Sequence, residues 1–230
     1  MGRPIAISLS PNTQTSDILL ALKTLLAPWN YYKGNYATAL EQWFVKNFKV
    51  ASAVSFNSGR SSLFAILKAL DIQKGDEILM QTFTCVAVPN AIIWAGAKPV
   101  YVDIDKTLTM DAKDLERKIT AKTKAILVQH TFGIPSNMDE IRTLARKNKL
   151  IVIEDCAHTI GAVYNGKKLG TLSDVAFFSL GRDKAFSSVF GGMAITNNRT
   201  LGNKLKSIQK KKNNPNVFWV FQQLLHPVAV

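Results

Sequence analysis

From Ser52 onward, short apolar runs alternate with stretches in which apolar residues recur every three or four positions, the pattern of a sheet wrapped by helices. Strands are expected at Glu77–Met80, Pro99–Val102, Ala125–Gln129, Leu150–Ile153, Val175–Ser179 and Met193–Thr196. Several are β-branched and apolar on both faces, as a strand covered from both sides must be. Helical periodicity marks Ser61–Leu70, Val86–Trp94, Lys113–Ile119, Met138–Asn148 and Leu201–Lys211. The expected fold class is therefore α/β, a three-layer sandwich around a mostly parallel central sheet.

Ahead of this core, Asp17–Leu26 and Ala39–Phe48 read as amphipathic helices on either side of an aromatic-rich loop, Pro28–Gly34. They form a helical arm over residues 1–50, able to pack on the main domain or on a partner chain. The main domain is expected over 51–212. Residues 213–230 close on the apolar run VFWVFQQLL without a cap or polar tail, which reads as the start of a truncated C-terminal segment.

Composition narrows the classes. A chain of 230 residues buries a substantial core. Its two cysteines, Cys85 and Cys156, stand in apolar or small contexts with no CxxC spacing and no partnering histidine, which argues against a disulfide scaffold or a zinc site and for a reducing compartment. The N-terminus has no long apolar run of a secretory signal, and Val217–Leu225 is too short to span a bilayer, so the expected location is the cytoplasm with no membrane span. The formal charge of +13 invites a nucleic-acid reading, but the lysines are spread along the chain apart from Lys204, Lys206, Lys210, Lys211 and Lys212. That cluster reads as a solvated helix face or as a surface attracting anionic substrates or membrane-bound polyanions, and no nucleic-acid partner is expected.

Three segments carry chemistry. In LIVIEDCAH an apolar strand delivers Asp155 at its carboxyl end, where open α/β sheets bind ligands; the same aspartate could simply cap the next turn. In DVAFFSLGRDK a second strand ends in Ser179 and is followed by Lys184. In FNSGRSSLFAIL, Ser58 and Gly59 open an amphipathic helix whose free N–H groups make a phosphate seat. A phosphate seat, a carboxylate and a lysine are what pyridoxal phosphate requires, the carboxylate keeping the pyridine nitrogen protonated and the lysine holding the cofactor covalently. GAVYNGKK, by contrast, only approaches a nucleotide phosphate loop. Lys168 replaces the hydroxyl, and Asn165-Gly166 is a hairpin turn pair.

The stretch from about Gly34 to Asn198 resembles the large domain of the DegT/DnrJ/EryC1/StrS aminotransferases, which are pyridoxal-phosphate-dependent enzymes of fold type I. The likeness runs in order through SGRSSL, GDEILMQTFTCVAVPNAIIWAGAKPVYVDID, TKAILVQHTFGIPSNMDEI, IEDCAHTIGAVYNGKKLGTLSDVAFFSLGRDK and FGGMAITN. It implies that Lys184 carries the cofactor, that Asp155 pairs with the pyridine nitrogen and that His158 contacts the phenolic oxygen. Ser58, Gly59 and Ser179 would bind phosphate, Phe83 would stack on one ring face and Ala157 would line the other. Phe83 as core filler and His158 as a structural histidine remain the plain alternatives.

Arg60 stands where many family members have threonine; it either adds a phosphate contact or points away and leaves the hydroxyl to Ser61. The implied reaction moves an amino group, with glutamate as donor, to a nucleotide-linked keto-sugar, in a protein that is a homodimer when full length. The resemblance also implies a small C-terminal domain that this chain lacks, so the rival reading is a non-catalytic member that binds cofactor or a partner without turnover.

Overall fold

The computed structural model of the protein describes residues 13–229. Nine strands and eight α-helices follow one another among them. The chain begins with α1 (Thr15–Leu25) and α2 (Tyr36–Phe48), then β1 (Ser52–Phe56), α3 (Gly59–Ala69), β2 (Glu77–Gln81), α4 (Ala87–Ala95) and β3 (Lys98–Val102). It continues through α5 (Ala112–Lys118), β4 (Thr123–Gln129), α6 (Met138–Lys147), β5 (Ile151–Asp155) and the short hairpin β6 (Val163–Tyr164) and β7 (Lys167–Lys168). Strands β8 (Val175–Ser179) and β9 (Gly192–Thr196) and helices α7 (Arg199–Lys210) and α8 (Val217–Ala229) complete it.

Seven strands form one sheet in the order β1-β9-β8-β5-β4-β2-β3. Neighbours from β8 to β3 are parallel, and only β9 runs against both of its neighbours. The expected mostly parallel α/β sandwich is what the chain adopts. All six expected strands form, and β5 extends two residues further than expected, so that Asp155 is its last residue. Strand β1 was not among them: SAVSF is short and serine-rich, and its pairing with β9 comes from the far end of the chain. Asn165 and Gly166 both take positive φ and turn the β6–β7 hairpin, as that pair should.

Alternation along the strands divides the core between the two faces. On β8, Phe177 joins the cluster with α3, α4 and α7, while Phe178 joins the cluster with α2 and α6. Phe178 lies 5.2 Å from Phe44 and 5.0 Å from Phe48, ring centre to ring centre, and each such ring removed from water contributes about 1.5–3 kcal/mol. This aromatic clamp fixes the height of β8, and with it Ser179 and the turn that carries Lys184. Of the arm, α2 thus belongs to the sheet's own packing, whereas α1 packs against α8.

One close approach sets the position of the first βα turn. A Cβ added to Gly192 would fall 2.3 Å from both the carbonyl carbon and oxygen of Ser58 and 2.6 Å from the Gly59 nitrogen, all backbone atoms that cannot swing aside. Gly192→Ala is expected to destabilise the fold by about 1–3 kcal/mol through overpacking. A urea unfolding curve superimposable on wild type would mean that the turn is freer than its contacts indicate.

Candidate active site

Ser58 caps α3. Its Oγ accepts from the Ser61 N–H at 3.1 Å and bonds the Ser61 hydroxyl at 3.0 Å. Among the described residues no protein acceptor takes the N–H groups of Gly59 or Arg60, so the first turn of α3 keeps donors free for an anion. Ser179, at the end of β8, borders the same turn, since a Cβ on Gly59 would lie 2.9 Å from the Ser179 Cβ. Arg60 does not join this group. Its guanidinium lies over the Trp94 ring of α4, 5.5 Å from the ring centre.

Asp155 ends β5 almost wholly buried. Burial pushes its carboxyl up to about 6, against the lowering effects of the Ala157 N–H and of the charges on His130 and Lys184. Oδ1 accepts from the Ala157 N–H at 3.0 Å. Oδ2 has no hydrogen-bond donor among the described residues, which leaves a buried acid with one oxygen open to an N–H partner.

Lys184 follows β8 on a tight turn closed by its own N–H to the Gly181 carbonyl. Its Nζ lies 2.7 Å from Asp183 Oδ2 and 3.3 Å from His158 Nε2. Burial and the neighbouring ammonium hold His158 below the usual histidine range, so the ring is neutral at pH 7 and able to share a proton. Burial alone would raise Asp183, but its bond to Lys184 outweighs that and keeps the carboxyl ionised. Ala157, His158, Ser179, Asp183 and Lys184 line one cleft of about 230 Å³, walled by Phe132 and Phe186. Phe186 is held from behind by Trp43 of α2, stacked at 6.3 Å.

Phe83 reaches the cleft indirectly, edge-on to Phe132 at 6.1 Å, and Phe132 in turn stacks on His158 at 5.6 Å. The ring of Phe83 is well exposed, so it is not core filler. Three features escaped the sequence reading. Asp183 pairs with the lysine, and nothing but adjacency marks it. Phe132 takes a left-handed backbone conformation, φ 52°, which costs energy for so bulky a residue and aims its ring over His158.

The third is a pair of buried amides: Gln81 and Gln129, at the ends of β2 and β4, both donate to the Phe83 carbonyl and to the Thr131 hydroxyl. A glutamine closing an otherwise apolar strand, as in EILMQ and TKAILVQ, is the signal that could have found them.

Cys156, expected to have no partnering histidine, does have one in space: His130, Glu154 and Cys156 present side-chain atoms within 4.8 Å of one another. Glu154 is the hub. It accepts from His130 Nε2, from the N–H groups of Gly170 and Leu172 and from the Ser173 hydroxyl. Burial pushes its carboxyl up, yet the His130 bond and the other donors together hold it below the ordinary value. The Ser136 N–H donates to His130 Nδ1, which leaves Nε2 as the ring nitrogen that faces Glu154. The cluster is a filled hydrogen-bond network behind Asp155.

A phosphate-ready helix start, a buried acid with an open oxygen and a lysine amine, set along the carboxyl ends of β1, β5 and β8, define the α/β class of pyridoxal-phosphate-dependent transferases. The chain belongs to the DegT/DnrJ/EryC1/StrS aminotransferase family, whose profile matches residues 12–217. It is 42% identical to the GDP-perosamine synthase of Escherichia coli O157:H7 over 174 residues, covering 75% of this chain and 48% of that protein.

In structure it is similar to an aminotransferase from Psychrobacter cryohalolentis, with a TM-score of 0.82 at 29% identity over 93% of this chain and 57% of that one. It is also similar to NtdA from Bacillus subtilis, solved with bound cofactor PMP, with a TM-score of 0.80 at 28% identity over 97% of this chain and 55% of that one. The chain spans about half the length of the curated relatives it matches. Among the described residues no helix is long and apolar enough to cross a membrane.

Proposed function

We propose that this chain forms the cofactor-binding part of an aminotransferase that moves an amino group from glutamate to a nucleotide-linked keto-sugar. The observation that carries the reading is the closeness of the Lys184 amine, which lines the cleft, to Asp155, a buried acid behind Cys156 and Ala157 of the cleft wall that feels the lysine's charge and keeps its second oxygen open. The residues fit pyridoxal phosphate: a buried acid wants an N–H partner, and the start of α3 wants an anion. When bound, that cofactor supplies an electron sink for the negative charge that develops beside the transferred nitrogen.

Each residue then has a task. Asp155 holds a proton at the pyridine nitrogen. The free N–H groups of Gly59 and Arg60, with the hydroxyls of Ser58, Ser61 and Ser179, bind the phosphate. Arg60 contributes through its backbone, because its side chain is committed to Trp94. Phe83 and Ala157 bound the two ring faces, and His158 bonds the phenolic oxygen. Lys184 would hold the cofactor and, once it has given up its extra proton and left the Asp183 carboxylate, its neutral amine would serve as the base for the proton on the donor's α-carbon.

The kinship to a GDP-perosamine synthase supports a sugar carried on a nucleoside diphosphate as acceptor. A homodimer is the assembly we propose for the protein, and the lack of paired cysteines agrees with a cytoplasmic setting. The test is amino transfer from ¹⁵N-glutamate to a GDP-linked or UDP-linked keto-sugar, followed by mass spectrometry. Label is expected in the sugar product only when pyridoxal phosphate is supplied. Cofactor uptake without label in any sugar would leave a binding protein and defeat the transferase reading.

A further inference from the structure

Both helices of the α1–α8 pair keep a second apolar stripe after packing on each other. In α1, Ala21 is buried and Ile18 and Leu25 are half-buried, yet Leu19, Leu22 and Leu26 recur at helical spacing on the outside, Leu26 being 79% exposed. In α8, Phe218, Phe221, Leu225 and Val228 recur in the same way, and Phe218 is 66% exposed. Four outward phenylalanine, leucine and valine side chains along about three turns are unusual on a water-facing helix, and a contiguous patch of this kind marks a binding surface.

The charge around these stripes identifies what they bind. Apart from Asp17, which caps the first turn of α1 by bonding the Gln14 N–H, α1 and residues 18–40 and 199–229 contain no aspartate or glutamate. They carry Lys23, Lys33, Lys206, Lys210, Lys211 and Lys212, all exposed and all without a carboxylate at ion-pair distance among the described residues. Tyr32 donates to the Pro215 carbonyl at 2.6 Å, which ties the loop bearing Lys33 to the stretch that follows Lys212. Trp29 on the same loop is 65% exposed.

A protein interface normally sets charges of both signs against one another across its rim. Apolar stripes ringed by lysines, with tryptophan and tyrosine at the margin and a single carboxylate, Asp17, at the start of α1, match instead the boundary of an anionic bilayer. There apolar side chains enter the headgroup layer and lysine stems lie along it, their ammonium groups on the phosphates.

We propose that α1, α8 and the Lys206–Lys212 run form a docking surface for an anionic phospholipid membrane, held at its surface without spanning it. The surface adjoins the candidate active site. Arg182, two residues before Lys184, bonds Gln223 of α8, and Phe190, at the end of the same loop, packs on Trp219 at 5.0 Å. Docking would therefore place the lysine loop directly behind the membrane-facing helix.

The experiment is co-sedimentation of the 230-residue chain with vesicles of phosphatidylcholine alone or of equimolar phosphatidylcholine and phosphatidylglycerol. Binding is expected to the mixed vesicles only, and to weaken as salt is raised. Changing Lys210, Lys211 and Lys212 together to glutamine is expected to lower partitioning by roughly a hundredfold, at about fivefold for each charge near the surface. Changing Phe218 and Phe221 to serine should lower it by roughly tenfold or more, with circular dichroism unchanged in both variants because all five side chains are exposed. Equal binding to both vesicle types, or to neither, overturns the proposal. So does a dimer by light scattering that the phenylalanine changes dissociate, which would assign the stripes to a second copy of the chain.

Discussion

Lys184→Ala is expected to leave a folded protein that no longer holds pyridoxal phosphate covalently, with amino transfer slowed by roughly 10³-fold or more. Among the described residues the amine bonds only Asp183 and His158, and the side chain belongs to neither half of the core, so its loss opens no cavity there. Stability should stay within about 0.5 kcal/mol of wild type. Titration with the cofactor, followed by its visible absorption and by mass after borohydride reduction, separates covalent attachment from simple uptake. The non-covalent site should persist in the variant, because the Ser58–Gly59 turn and Asp155 are untouched. A reduced adduct of undiminished yield in the variant would move the attachment to another lysine and undo the assignment.

Asp155→Asn should act in opposite directions on stability and on cofactor binding. Burial raises the acid from 3.8 to about 6 in the folded chain, so folding takes up a proton between those values. The stability tied to that proton is fully present below about pH 4 and is lost as pH climbs through 6. By pH 7 the ionised, buried carboxylate costs the native state about 3 kcal/mol, a burden the amide does not carry. The variant is therefore expected to match wild type near pH 4 and to exceed it by up to about 3 kcal/mol at pH 7 in urea unfolding. Its affinity for the cofactor should fall at the same time, since a neutral amide cannot hold the pyridine proton. A stability difference that does not change with pH would show that Asp155 is not the buried titrating acid. The wild-type burden is of the kind active sites carry when a group is set for a ligand and not for the fold.

How much of this could be read from the residues depends on where the determining contacts lie. Strands apolar on both faces declare themselves locally, and so do capped helices such as α3, whose Ser58 and Ser61 are neighbours in sequence. Asp155 and Lys184 were legible because each follows an apolar strand at its ligand-binding end. What stayed hidden depends on partners remote in sequence. Strand β1 needs β9 to exist, the commitment of Arg60 to Trp94 needs α4, and the His130–Glu154 couple joins two strands whose polar ends look unrelated. The backbone of Phe132 is likewise set by tertiary contacts, since no local rule sends phenylalanine into the left-handed region.

The pairing of β1 also bears on the order of assembly. Ser52 to Phe56 find their hydrogen-bond partners only in Thr196 to Gly192, almost the whole length of the sheet-forming chain later. During synthesis the parallel middle strands can condense as they emerge from the ribosome, but the first strand must wait without a strand neighbour until the last arrives. The loop that follows it, with the free N–H groups of Gly59 and Arg60, is thus the final part of the candidate site to be set. A nascent chain halted before Gly192 would expose a lysine and an acid with nowhere to seat the cofactor's phosphate.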